Sequence, residues 1–408
     1  MENLFEFLKE RGYFYQVTNE KNVERLCNDK SVPVYVGIDP TASSLHIGHF
    51  FSLMMLKHFQ NFGHKVIVLI GGATAMIGDP SGKNDMRKLL DKQTVENNLN
   101  QIRELVKKFI RTEGDNAGII VNNADWLCDF SYIDFMRTVG THFNVNKMLA
   151  CDAYANRLKS GGLTFFEMGY MLMQAYDFVY LNKTYGCSLE IGGSDQWANI
   201  LAGAELGRKL ALINGEEKLM FEGLTCPLLT NSEGKKMGKT EKGALWVNKD
   251  RTSVFDFYQY FYNVQDTDVE KLLKLFTVLP LKEIDDLLKG DIRVAKQVMA
   301  YEITKLVHGE NEANQAKEMS LKIYAEKNMD NVESYKISDA NISILNLLVE
   351  TGLVASKSEA KRLIMQGGIL LNDAKVDDVA KVLNTDDFKN GYAVIKKGKK
   401  SYKKIELI

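Results

Sequence analysis

The sequence predicts an α/β fold built on a doubly wound parallel sheet, followed by a helical segment and a small basic α+β unit. Three observations predict it: β-branched runs alternate with helical patterns through the first half, polar amphipathic helix dominates after Val254, and lysine crowds the C-terminal segment.

Taken in order, the stretch from Met1 to Gln16 carries Glu2, Glu6, Lys9, Glu10 and Arg11 among its aromatics. It has neither the apolar core of a signal peptide nor an acid-poor transit composition, so a cytoplasmic location is expected. Strand-sized runs follow at 34–38, 66–70 and 118–122, separated by helical patterns at about 47–62 and 95–112. Strands about 30 residues apart with a helix between them imply right-handed βαβ units and a Rossmann-like sheet. Two apolar helical patterns, 133–148 and 165–185, read as an insertion before a further strand at 188–191.

After Val254, the positions Ile292, Ala295, Met299, Ile303 and Leu306 step by three and four, which predicts a helix stopped at Gly309. In the last unit, Ser356 and Glu359 have capping-box spacing for a helix closed by Gly367 and Gly368. Strand-like runs at 369–372, 392–395 and 401–407 follow, the last two joined by a turn carrying Lys396, Lys397, Lys399 and Lys400. Domains are expected at 1–225, 226–328 and 341–408.

Composition limits the function classes. At 408 residues, 45% hydrophobic and 26% charged, the chain is globular and longer than one core usually organises. The net charge of −1 hides an asymmetry: residues 355–408 hold twelve Lys or Arg against seven Asp or Glu, leaving the remainder acidic by six. The uninterrupted apolar runs fall far short of the roughly 20 residues of a spanning helix, so no membrane association is expected. Five widely spread cysteines lack zinc or dithiol spacing. Reduced, buried thiols and no metal site are the expectation.

Two segments carry chemistry. After the first strand, Asp39-Pro40-Thr41-Ala42-Ser43-Ser44-Leu45-His46-Ile47-Gly48-His49 forms a strand-to-helix turn. Free N–H groups and the positive end of the helix dipole would face an anion there. His46 and His49, three apart, would share one helix face, with Gly48 leaving room for a base or ribose. Far downstream, Gly234-Lys235-Lys236-Met237-Gly238-Lys239-Thr240 is a glycine-punctuated loop whose lysines are mobile point charges able to reach phosphate oxygens.

In this order and setting, the pair of motifs resembles the two signatures of the class I aminoacyl-tRNA synthetases. Further strings resemble the bacterial-type tyrosyl branch: Tyr35-Val36-Gly37-Ile38-Asp39-Pro40-Thr41, Gly78-Asp79-Pro80-Ser81-Gly82-Lys83, Asn122-Asn123-Ala124-Asp125-Trp126, Tyr170-Met171-Leu172-Met173-Gln174-Ala175-Tyr176-Asp177 and Gly192-Gly193-Ser194-Asp195-Gln196-Trp197. The resemblance covers nearly the whole chain. It implies a ligase that activates L-tyrosine with ATP, releases pyrophosphate, and transfers the amino acid to the 3′-terminal adenosine of its tRNA.

Residue by residue, the resemblance implies that Tyr35 and Asp177 hydrogen-bond the substrate phenol. Asp79, Tyr170 and Gln174 would hold its ammonium group, and Asn123 and Gln196 would complete the tyrosine site. Gly37, Asp39, Thr41, His46, His49, Gly193, Asp195 and Lys239 would meet ATP. Lys83, Arg87, Lys236, Lys239 and Thr240 would meet the departing pyrophosphate. It further implies Mg2+ with the nucleotide, no zinc, a homodimer joined near Phe165, an anticodon-binding helical segment and an RNA-binding tail. In that tail Lys357, Lys361, Arg362, Lys397 and Lys400 are candidates for phosphate contacts.

Two departures stand out. Glu190 occupies a position where many bacterial members carry glutamine, and Gly238 and Thr240 replace two serines of the signature loop, a change expected to preserve its flexibility. The alternatives are a tryptophanyl homologue, which would not need the Tyr35 and Asp177 pair, and a non-catalytic RNA-binding paralogue.

Overall fold

The structure is a computed structural model. It describes the chain except residues 1–2, 82–88, 217, 235, 241–242, 326–333, 373, 389–390 and 399–400, and the side chains of 160, 239–240, 243 and 322–325. It comprises two compact units, Met1–Ala313 and Asn314–Ile408.

The first unit is organised by a sheet of β1 (Gln16–Val17), β2 (Val34–Ile38), β3 (Val66–Ile70), β4 (Ile119–Asn122), β5 (Leu189–Gly193) and β6 (Glu222–Cys226). Their spatial order is β1-β6-β5-β2-β3-β4. All neighbours are parallel except β1, which runs antiparallel to β6. Every residue of β3 is buried, and in β2 only Gly37 is exposed. Burial on both faces explains why these strands read as continuous apolar runs rather than as alternation. The chain passes from β2 outward to β3 and β4, then returns to place β5 on the other side of β2. A crevice opens beyond the carboxyl ends of the strands at such a reversal, and ligands bind there in open α/β sheets.

Helix α1 (Ile47–Asn61) follows β2; α2 (Phe165–Tyr185) and α3 (Trp197–Ile213) flank β5. Thr164 begins α2 with a full capping box through Glu167, and Gly186 ends it in the left-handed conformation. Phe178 packs α2 against the sheet, its ring centroid 5.3 Å from Tyr35 of β2 and 5.2 Å from Phe221, which leads into β6.

Several sequence expectations need correction. The pattern at 133–148 is not one helix: it divides into Tyr132–Thr138, a 3-10 turn at Gly140–His142, and Val145–Ala150. Asn144 accepts from the Lys147 N–H and so starts a new helix where the apolar rhythm ran on. The helix expected at 95–112 spans Lys92–Val106. Strands β1 and β6 and the helix Asp152–Ser160 have no counterpart in the sequence reading. Of the five thiols, Cys27, Cys187 and Cys226 are buried as expected, whereas Cys128 is exposed.

The helical segment from Val254 as far as Ala313 belongs to this same compact unit. Phe276 packs 5.2 Å from Phe50 of α1, and buried Arg11 donates to the carbonyls of Lys274 and Thr277 at 2.8 Å each. Those carbonyls end the helix Val269–Phe276, so the guanidinium satisfies acceptors the helix itself leaves over.

The second unit carries a five-stranded sheet in the order β11-β10-β12-β13-β9, from β9 (Ser334–Ile337), β10 (Ile369–Leu371), β11 (Ala374–Lys375), β12 (Tyr392–Lys397) and β13 (Ser401–Leu407). Ile344, Leu347, Ile364, Ile369, Ile395 and Ile405 form its core. Ser356 caps the helix Lys357–Met365, but the Glu359 carboxylate accepts from the Ala355 N–H, so the expected capping box is displaced by one residue. Lys357, Lys361 and Arg362 are exposed on that helix. Lys397 is not offered to solvent in the same way: its ammonium donates to the Leu353 carbonyl at 2.9 Å and lies 3.3 Å from Glu359. Lys400 lies outside the described residues.

Candidate active site

The crevice beyond the strand ends gathers most of the predicted residues. Asp39 directly follows β2 and is gripped on both oxygens: Thr74 donates to Oδ1 at 2.7 Å and the Tyr170 hydroxyl to Oδ2 at 2.9 Å. The Thr41 N–H donates to the Asp39 carbonyl at 2.8 Å, which tightens the turn leading towards the first histidine. Asp79 accepts from the Ser81 N–H at 2.9 Å and from Gln196 Nε2 at 2.7 Å, and Asn199 in turn donates to Gln196 Oε1 at 3.2 Å. Gly193 ends β5, and Asp195 lies in the 3-10 turn that follows it.

Deeper in, Asp177 accepts from Asn123 Nδ2 at 3.0 Å and from the Trp126 indole at 2.8 Å. Asn123 also donates to the Thr74 hydroxyl at 3.0 Å and accepts from the Ala73 N–H at 2.8 Å. Asp177 is therefore locked in orientation by groups from beyond β3 and β4. Burial pushes its carboxyl well above the usual range, opposed by those two hydrogen bonds and assisted by the charges of Glu190 and Asp39. Burial likewise raises the Tyr35 and Tyr170 phenols well above their ordinary value, so both hydroxyls are neutral at physiological pH.

Glu190 pairs in register with Tyr35 across β2 and β5, and its Oε1 accepts from Gln174 Nε2 at 3.1 Å. Burial pushes the Glu190 carboxyl up to about 7, against the pull of Gln174 and Tyr35. The Tyr35 hydroxyl adjoins this carboxylate closely enough to moderate it, yet neither that hydroxyl nor Glu190 Oε2 has a partner of full hydrogen-bond geometry. Gln174 Oε1 is likewise buried and unpartnered.

The histidines differ from the sequence expectation. His46 is the N-cap of α1 rather than part of it, and its Nδ1 accepts from the N–H groups of Gly48 at 3.1 Å and His49 at 3.3 Å. Two of the helix's N-terminal donors are thus engaged by the imidazole and not left for an anion, because an acceptor in the cap satisfies them first. The His46 and His49 rings stack, with centroids 3.8 Å apart and planes 13° from parallel.

The signature loop comes to this same helix end. The Ile47 N–H donates to the Leu245 carbonyl at 3.2 Å, Leu245 donates to the Gly238 carbonyl at 2.7 Å, and Val247 donates to the Leu45 carbonyl at 2.9 Å. His46 and Trp246 form a β-bridge. Gly238 has φ of +81°, and a Cβ there would lie 2.1 Å from Ile47 Cγ2. Glycine at 238 is thus dictated by close seating against α1, a more specific reason than the flexibility expected from sequence. Lys236 is exposed; Lys239 and Thr240 form β7, paired with β8 (Gly243–Ala244), while their side chains, together with Lys83 and Arg87, lie outside the described residues.

Sequence reasoning gave no role to Thr74, Trp126, Trp246 or Arg251. Trp126 ended a quoted string without an assigned partner, and Thr74 occupies the single-turn helix Thr74–Ile77 just after β3, a position at which a polar residue faces the crevice. Arg251 stacks on Trp246 with its guanidinium carbon 3.5 Å from the ring centroid, an arrangement with no sequence signal. Among the described residues, no group of three or more His, Cys, Asp and Glu side chains is gathered for a metal.

Residues 28–325 match the family described as tRNA synthetases class I (W and Y), and residues 325–405 match the Tyrosine--tRNA ligase SYY-like C-terminal domain. The tyrosine–tRNA ligase of Clostridium tetani is 50% identical over 409 residues, spanning 99% of this chain and 98% of its own length. The C-terminally truncated mitochondrial tyrosyl-tRNA synthetases of Coccidioides posadasii and Aspergillus nidulans superpose with TM-scores of 0.69 and 0.71 at 34% and 31% identity. They cover 78% and 79% of this chain, and 92% and 95% of their own chains. The chain therefore belongs to the tyrosine–tRNA ligases, class I aminoacyl-tRNA synthetases that activate tyrosine with ATP and esterify it to tRNA.

Proposed function

We propose that tyrosine occupies the crevice with its phenol at Tyr35 and Asp177 and its ammonium group among Asp79, Tyr170 and Gln174. Asn123 and Gln196 fix the orientation of Asp177 and Asp79 through the hydrogen bonds described above. The observation that carries this reading is buried hydrogen-bonding capacity left over on two adjoining side chains: Gln174 Oε1 has no partner, and the Tyr35 hydroxyl meets only the Glu190 carboxylate, short of full geometry. Buried polar atoms are nearly always partnered, so an unpartnered amide oxygen beside a loosely held phenol favours a polar ligand at that place. Phenylalanine would leave the acceptors at the phenol end unpaired, which is costly in a buried site.

ATP lies along Gly37, Asp39, Thr41, Gly193 and Asp195, with its phosphates towards His46, His49 and Lys239. A tyrosine carboxylate oxygen attacks the α-phosphorus, and the bond to the bridging oxygen of the β-phosphate breaks as pyrophosphate departs. The carboxylate is already ionised, so no protein base is needed, and rate enhancement comes from positioning and from charge placed against the transition state. His46 and His49 donate to the phosphoryl oxygens; Lys83, Arg87, Lys236, Lys239 and Thr240 receive the pyrophosphate. The 3′-terminal adenosine hydroxyl of the tRNA then attacks the activated carbonyl and AMP leaves. Mg2+ is carried by the phosphates, a ligand set this hard, strongly hydrated ion favours.

The helical segment of 226–328 reads the anticodon, and the basic unit of 341–408 holds tRNA phosphates. Tyr132, Ile133, Val145, Leu158, Phe165 and Phe166 expose apolar surface around the insertion, which favours a homodimer through that face. A cytoplasmic location is supported by thiols without disulfide partners; no described helix is long and apolar enough to cross a membrane.

Single-turnover adenylate formation tests the reading. His46→Ala and Lys239→Ala should each slow it by about 10²-fold while tyrosine affinity stays within about twofold, the pattern of groups acting only in the transition state. Unchanged rates in both variants would remove these residues from the chemistry.

A further inference from the structure

Glu190 is a carboxylate within the tyrosine crevice to which the reaction gives no task. It is 2% exposed, lies across the sheet from Tyr35, and accepts one hydrogen bond of full geometry, from Gln174 Nε2 at 3.1 Å. Its other oxygen lies against Gly203 of α3, where a Cβ would sit 3.4 Å away, so the helix brings backbone rather than a donor to that side. The titratable groups facing it are Tyr35 from β2, Asp177 from α2 and Cys187 just before its own strand. No cation is among these groups.

A primary amide has two chemically different ends, and an ionised carboxylate accepts only. With Glu190 ionised, the Gln174 NH2 must face it, and the Gln174 carbonyl oxygen must then face the other way. Gln174 Oε1 is the buried acceptor left over. We propose that Glu190 is a positioning residue for amino-acid recognition: its carboxylate fixes the Gln174 amide so that Oε1 is presented to the ammonium group of tyrosine. The inference rests on the assignment of Gln174 to the ammonium group. A glutamine at 190 offers both a donor and an acceptor, so it does not dictate which end of Gln174 faces the ligand.

Glu190 titrates at about 7. Below that pH the protonated acid has a hydroxyl of its own to donate, the Gln174 amide turns freely, and its carbonyl is drawn to Glu190 instead of to the ligand. The arrangement therefore couples tyrosine affinity to pH in the sense that acid weakens it, and bound ammonium in turn favours the ionised acid.

Equilibrium binding without ATP tests this on the full-length chain, with L-tyrosine and with 3-(4-hydroxyphenyl)propionate, which keeps the phenol and carboxylate but lacks the ammonium group. Near pH 8, Glu190→Gln should weaken tyrosine by about tenfold, the scale of one charge-assisted hydrogen bond, and leave the deaminated ligand unchanged. Near pH 6 the gap between wild type and variant should shrink severalfold, as wild type itself becomes protonated. Gln174→Ala should weaken tyrosine, and adding Glu190→Gln to it should cause no further loss. Equal losses for both ligands, or no loss for tyrosine, would overturn the role of Glu190. Unchanged tyrosine binding in Gln174→Ala would instead overturn the assignment of Gln174 on which it rests.

Discussion

Gly238→Ala is the sharpest probe of how the two signatures meet. Two separate costs arise at this position. The backbone φ of +81° lies in the left-handed region, where a side chain costs about 1–2 kcal/mol. The new Cβ would also lie 2.1 Å from Ile47 Cγ2, whereas carbon atoms in contact stay about 3.5–4.0 Å apart. Either the loop or Ile47 must retreat by more than about 1 Å, and Ile47 is the first residue of α1, 3% exposed and tied to Leu245 through its N–H. The loop is the softer partner, so it leaves the helix. If the seated loop is the form that completes the phosphate site, the backbone cost alone slows adenylate formation by about 5- to 30-fold at 1.36 kcal/mol per decade, and the clash adds to it. Rapid-quench measurement of tyrosyl-adenylate should show that loss in rate with tyrosine affinity unchanged. Pairing Gly238→Ala with Ile47→Ala removes Cγ2 and should recover the steric part but not the backbone part, judged against Ile47→Ala alone. An adenylation rate in Gly238→Ala equal to wild type would refute the reasoning, because the seating would then be irrelevant to the chemistry.

Two further outcomes follow from buried charge. Glu190 has an ordinary value of 4.5 when unfolded and about 7 when folded. A raised folded value means that stability is full below the unfolded pKa and is lost as pH rises through the folded one, by about 3 kcal/mol at 1.36 kcal/mol per unit. Glu190→Gln should therefore raise stability in urea melts near pH 8 relative to pH 4–5, and a gap that does not vary with pH contradicts the burial argument. Arg157 and Glu167 pair at 3.0 Å with side chains only 5% and 2% exposed. Arg157→Met should cost roughly 3 kcal/mol in the same assay because it strands the carboxylate, and adding Glu167→Gln should restore part of it; a loss below about 1 kcal/mol would show that the Thr164 contacts suffice.

Sequence legibility followed the physical origin of each signal. Strands β2 and β3 and helix α2 could be read to the residue, because a strand buried on both faces is an unbroken apolar run and α2 is bracketed by Thr164 and Gly186. Strand β6, Glu-Gly-Leu-Thr-Cys, is equally buried but has no such composition: Glu222 is satisfied by Thr18, Asn22 and Arg208, partners from distant parts of the chain. The site divides the same way. Tyr170, Gln174 and Asp177 share a helix face by spacing alone, whereas the hold of Trp126 on Asp177 and of Thr74 on Asp39 arises only once β3 and β4 are in place. The histidine pair shows the limit most clearly. Spacing put both rings on one helical face, but His46 could be recognised as a cap only from its φ and ψ of −97° and 171° and the two N–H groups its Nδ1 accepts. With Nδ1 occupied as an acceptor, the proposed phosphate contact of His46 would have to be made through Nε2. Ring stacking against His49 then sets the direction in which Nε2 points. The local contacts that spend one nitrogen on the backbone therefore fix the tautomer of the other, and a cap recruited from the signature motif itself is what orients it.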